Sequence, residues 1–156
     1  AKWLGIPAGV ISVSQPEGAE HGQGEVMYRG RAAEKLAERA DSHPWEGFDA
    51  CPHEDLREPG RARLDPFGNL HICQGIVIGN LFEKPLKQIC EEYSPESCPI
   101  CGLLLSGGPA ALVTEYNLPH ASRYADACHL CYKARDNLRL RFPKALAPAQ
   151  MYGVTR

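Results

Sequence analysis

Residues 61–81 read RARLDPFGNLHICQGIVIGNL. Ala62 and Leu64 fall on one side of a short extended run, Leu70 and Ile72 on one side of the next, and Pro66, Phe67, Gly68 and Asn69 between them carry turn chemistry. The stretch is therefore expected to be a β-hairpin. A strand alternates its side chains between two faces, so His71 and Cys73 are expected to point away from the Leu70/Ile72 face, offering Cys73 to a different layer. Residues 74–80, with Ile76, Val77 and Ile78 between two glycines, continue as a buried extended segment.

Six more cysteines surround this hairpin. Cys51 precedes it, Cys90 follows it, and two C-x2-C knuckles come later, Cys98/Cys101 and Cys128/Cys131. An odd total of seven, in a chain whose N-terminus lacks the pattern of a signal peptide, argues against a disulfide framework and for metal binding. Two thiolates three residues apart can grip one ion from a tight turn, so two such knuckles are a strong signal for a shared four-thiolate site. Zinc and iron-sulfur clusters both accept four thiolates, and spacing does not separate them.

The rest of the chain supplies framework. Residues 9–13 form a short apolar run that could be a strand, and residues 31–40 place Ala33, Leu36, Ala37 and Ala40 at helical spacing. Pro85 suits the first turn of a helix whose apolar face holds Leu86, Ile89, Cys90 and Tyr93, which makes Cys90 a buried hydrophobe rather than a ligand. Ser106-Gly107-Gly108-Pro109 reads as the start of a short helix to Tyr116; it lacks the Lys and Ser/Thr of a phosphate loop. Asp126 is placed to cap a helix carrying Leu130, Ala134 and Leu138, which Pro143 stops. The Pro/Ala-rich remainder, residues 143–156, is expected to be a weakly ordered tail.

At 156 residues and 44% hydrophobic content the chain can bury a real core. A net charge of -2 without runs of like charge gives no indication of a nucleic-acid surface, and no apolar run is long enough to span a membrane. The expected location is cytoplasmic. H-E-x-x-H and G-x-S-x-G motifs are absent; His53, His71, His120 and His129 are read first as polar or surface residues. The chain starts Ala1-Lys2-Trp3, as though in the middle of a longer protein.

Cys51, the Gly68-x4-Cys73 hairpin, Ile78-Gly79-Asn80-Leu81 before a Pro-started helix, and the two knuckles together resemble the SPASM/twitch domain of radical S-adenosylmethionine enzymes. The resemblance runs from about Cys51 to Phe142. It implies an α+β fold: a small β-hairpin followed by short helices around a cysteine-ligated metal centre, over residues 51–142, preceded in residues 1–50 by the end of a partial (β/α) barrel and its linker. It also implies one or two 4Fe-4S clusters with Cys51, Cys73, Cys98, Cys101, Cys128 and Cys131 at the ligand positions. The partners implied are a radical S-adenosylmethionine barrel earlier in the parent chain and a peptide or protein substrate. Two parts of the family pattern are missing. No C-x5-C-x3-C run follows the first knuckle, and the C-x3-C-x2-C motif that binds the radical-generating cluster and S-adenosylmethionine is absent from this sequence, so these residues cannot initiate radical chemistry alone. The alternative is a zinc-ribbon-like interaction module using Cys98, Cys101, Cys128 and Cys131. A structural domain with unliganded thiols is the third reading.

Overall fold

A computed structural model describes residues 26–154. The expected strand at residues 9–13 lies outside them. In chain order the elements are α1 (Arg31–Lys35), β1 (His43–Pro44), β2 (Arg63–Leu64), β3 (Asn69–Cys73), β4 (Ile76–Asn80), α2 (Leu86–Glu92), α3 (Cys101–Tyr116), β5 (Arg123–Tyr124) and α4 (Ala127–Leu138), joined by short 3-10 turns. The architecture is mixed helix and sheet, α+β as expected, and no barrel is present among the described residues. No helix among them is long and apolar enough to cross a membrane.

The hairpin forms where its residues require it. β2, β3 and β4 make a three-stranded antiparallel meander in which Leu64 pairs with Leu70 and Cys73 with Ile76. In the first turn Asp65 accepts hydrogen bonds through Oδ1 from the amides of Phe67 and Asn69, both at 2.9 Å. Gly68 adopts a left-handed φ of 81°, and a Cβ there would lie 2.7 Å from Asn80 Oδ1. Asn80 in turn donates to Phe67 O at 2.9 Å and Asn69 Oδ1 at 3.0 Å, so the Gly68 and Ile-Gly-Asn signals describe one interlocked corner.

β3 is covered on both faces. Leu70, His71, Ile72 and Cys73 are all buried, so the side of the strand that carries Cys73 meets a second layer of protein. Part of that layer is α4, whose buried stripe holds Ala127, Leu130, Cys131, Ala134, Arg135 and Leu138. Asp126 caps α4 as expected, accepting from the His129 amide at 2.6 Å, and also accepts from the Tyr28 amide at 3.1 Å.

Four expectations need correction. α1 is one short turn of helix followed by a 3-10 turn, and the break at Leu36 leaves that residue exposed while Ala33 and Ala37 are buried. Cys90 is exposed: Ile89 fills the contact under Gly79, where a Cβ would meet it at 2.7 Å, and the next residue is rotated about 100° away from that contact. Leu86 is exposed as well. The C-terminal segment is docked rather than loose, since Leu146 bridges to Ile76 and Tyr152 is buried with its hydroxyl donating to Gly75 O at 2.8 Å. Ala33, Leu146 and Tyr152 belong to the same buried cluster as Ile72, Leu104 and Leu130.

The Gly107-Gly108 pair interrupts α3 rather than opening a nucleotide loop. Gly107 and Gly108 leave the helical region, splitting α3 into two helices at the position where Pro109 begins the second. Gly108 has φ 60°, and a Cβ there would lie 2.3 Å from Ala50 N and 2.4 Å from the carbonyl carbon of Asp49. The loop before Cys51 lies directly against this bare backbone, and Ala110 N donates to Phe48 O at 3.1 Å.

Candidate metal centre

Three separate segments bring four cysteines to one cavity. Cys51 comes from the loop pressed onto Gly108, Cys73 from the end of β3, and Cys128 and Cys131 from the first turns of α4. Leu56, Ile76, Leu104 and Pro109 add apolar surface to a small cavity of ≈ 20 Å³ that is partly open to solvent, with Arg29, His53, Glu54 and Arg135 also lining it. Cys73 and Cys131 are buried, while Cys51 and Cys128 are half-buried.

Two cations flank the thiols. Arg29 Nη1 donates to Cys73 Sγ at 3.1 Å and lies 3.9 Å from Glu54, which is also paired with Arg61 at 2.9 Å. Arg135 is 1% exposed, an unusual burial for a guanidinium, and donates to Gln74 O at 2.5 Å and Cys131 O at 3.2 Å. Burial works against its charge, while Cys131, Tyr152 and Cys73 favour it when they are deprotonated, and the net direction is above the ordinary value. Burial pushes the Cys131 thiol up to about 11, opposed by Arg135, and pushes Cys128 up as well, reinforced by Asp126 and Cys131. Such thiols stay protonated until something cationic replaces the protons, and metal binding does this.

The donor set fits a thiophilic metal group. Four thiolates around a zinc ion, or around an oxidised 4Fe-4S core, leave two negative charges in an apolar pocket, and Arg29 and Arg135 are the two cations beside them. The spacing is informative. Among the described residues, the ligand atoms within 4.8 Å of one another in a group of three belong to His53, Asp126 and Cys128, so no three of the cavity's sulfurs are that close. A tetrahedral ion with bonds of about 2.3 Å to four sulfurs would hold them about 3.8 Å apart. The four sulfurs are therefore not gathered as closely as one tetrahedral ion would hold them.

Cys98 and Cys101 do not line this cavity. They face each other at the start of α3, so the two knuckles do not converge on one four-thiolate site as their spacing led us to expect. Exposed Cys90 stands apart from both groups. Among the histidines, His53 lines the cavity, whereas His120 packs on Trp45 with ring centroids 4.4 Å apart and His129 packs edge-on against Tyr124. His71 is buried and paired through Nε2 with Asp65 Oδ2 at 3.0 Å, leaving Nδ1 without a partner among the described residues. Burial raises the Asp65 carboxyl, yet the bonds from Asn69, His71 and the Phe67 amide overcome this and hold it below its usual range.

Sequence reading missed Arg29 and Arg135. Arg29 sits in a stretch without periodic signal. Arg135 carried a usable one, since it follows Cys131 by four residues and so shares its helical face. Comparison of the chain with protein-family models, curated proteins and solved structures finds no match.

Proposed function

We propose that this chain is an auxiliary iron-sulfur domain of a radical S-adenosylmethionine enzyme, in which Cys51, Cys73, Cys128 and Cys131 hold one 4Fe-4S cluster. The observation that carries the reading is the meeting of these four thiols, from three segments, in one apolar cavity beside Arg29 and Arg135. The hairpin with Gly68 and Cys73 adds the family resemblance. When bound, the cluster supplies one-electron redox chemistry. The protein's own groups set the conditions for it. Arg135 beside Cys131 and Arg29 beside Cys128 favour the thiolate forms of those two, and Arg29 also donates a hydrogen bond to Cys73 Sγ. Leu56, Ile76, Leu104 and Pro109 present apolar surface around the thiols. The domain would pass electrons to, or hold, a substrate activated by a radical S-adenosylmethionine barrel in the parent chain, with a peptide or protein as the favoured substrate class.

Anaerobic purification or reconstitution is expected to give a brown protein with iron and sulfide in equal amounts. Cys73→Ala and Cys131→Ala should each lose most of that iron, and Cys90→Ala none. A colourless protein holding zinc and no sulfide after reconstitution would reject the cluster. The second reading, a single zinc ion, has its own support in the close approach of His53, Asp126 and Cys128. It requires His53→Ala to abolish metal binding, whereas the cluster reading leaves iron content largely intact in that variant.

A further inference from the structure

The Cys98/Cys101 pair lies outside the four-cysteine cavity and has a different chemical setting. Cys101 is fully buried and Cys98 is half-buried at the turn before it. The side chains are hydrogen-bonded to one another, and the Cys101 amide also donates to Cys98 Sγ at 3.4 Å. Two features fix the turn. Ile100 is fully buried, and Gly102 packs so tightly that a Cβ would lie 2.7 Å from Glu96 O. No third Cys, His, Asp or Glu ligand atom among the described residues joins the pair within 4.8 Å. Two thiols in mutual contact, one reachable from solvent and the other buried behind it, have the arrangement of a dithiol.

We propose that Cys98 and Cys101 form a redox-active dithiol that reduces a disulfide, Cys98 being the attacking sulfur and Cys101 the resolving one. The Cys98 thiolate attacks one sulfur of the substrate disulfide. That S–S bond breaks, one substrate sulfur departs as a thiolate and takes a proton from solvent, and the other is held in a mixed disulfide on Cys98. Cys101 gives up its proton and attacks Cys98 Sγ, forming the Cys98–Cys101 bond and releasing the second substrate thiol. Two electrons pass from the pair to the substrate, and two cysteine thiols become one disulfide. The division of labour follows from the surroundings. The hydrogen bond from Cys101 outweighs partial burial and brings the Cys98 thiol down to about 6, while that same interaction and burial raise Cys101. Cys98 is partly open to solvent and is the sulfur a substrate disulfide can reach, whereas Cys101 is buried behind it and is placed to resolve.

The inference does not depend on the nature of the group in the four-cysteine cavity. Its test uses the full chain, reconstituted and equilibrated anaerobically in glutathione buffers of graded redox poise, then alkylated and peptide-mapped. A Cys98–Cys101 disulfide at unchanged metal content is expected, and Cys101→Ser should instead accumulate one glutathione on Cys98. Cleavage after Glu91 and Glu92 puts exposed Cys90 on a separate peptide, where it reports unpaired glutathionylation. Because a variant of buried Cys101 can fail to fold, Cys98→Ala provides a second arm: it should abolish the disulfide and keep wild-type metal content. Absence of the disulfide in the most oxidising buffer, or loss of half or more of the metal in Cys98→Ala, overturns the proposal. The latter result would make the pair ligands of a second metal group.

Discussion

Four cysteines in this protein surround a common cavity and two face each other, although all six sit in turns or at element ends of similar local appearance. The difference lies in what backs them. The cavity group is gathered from three distant segments, set against Arg29 and buried Arg135, and kept apart by apolar walls. The facing pair comes from a single turn, and each thiol is the other's main polar neighbour. One group thus depends on long-range packing for its assembly, and the other on a single turn.

The most disruptive way to test this contrast is Gly108→Ala. The new methyl would collide with the Ala50 amide at a backbone φ that L side chains rarely adopt, forcing the loop bearing Cys51 away from α3. A stability loss of about 2–4 kcal/mol in chemical denaturation is expected, together with loss of metal from the cavity group and an intact Cys98–Cys101 couple. If metal content survives, Cys51 is not held by this contact. Next in size is Arg135→Met, which removes a buried cation and leaves the carbonyls of Gln74 and Cys131 without its hydrogen bonds. The metal-loaded protein should lose about 3 kcal/mol, measured by denaturation at saturating metal, and exchange at Cys98 should be unchanged. The smallest effect is purely kinetic. Alkylation of Cys98 should slow as pH falls through about 6, because the reactive thiolate is lost there, whereas a small free thiol slows near pH ~8.5. A Cys98 profile centred with the free thiol would remove the distinction between the two regions.

The hairpin could be read from sequence because its determinants are local. Asp65 and Gly68 set the turn within four residues, and alternation set the faces of β3. The α4 cap was equally legible, since Asp126 acts on an amide three residues away. Sorting the cysteines into groups was not legible. Cys51 depends on Gly108, whose glycine-rich context reads equally well as a helix start or a loop, and the sequence contains no mark of the contact between them. Nor does spacing reveal that the knuckles part company, because that depends on how α3 and α4 pack. The C-terminal segment misleads through composition. Its prolines and alanines look unanchored, but two residues, Leu146 and Tyr152, suffice to fasten it beneath the Gln74-Gly75 turn beside Cys73. Cys90 fails for a geometric reason, since adjacent helical residues cannot share one contact and Ile89 takes it.

Asp126 does more than begin a helix. By accepting the Tyr28 amide across a separation of 98 residues, it anchors the segment that carries Arg29 to the helix that carries Cys128 and Cys131. Closing so long a loop is slow and entropically costly, and it draws together pieces that leave the ribosome far apart in time. The cavity with both of its cations therefore depends on a contact between distant parts of the chain. On the proposed reading, a metal arriving before that contact forms would meet separated thiols, and one arriving afterwards would meet them gathered beside Arg29 and Arg135.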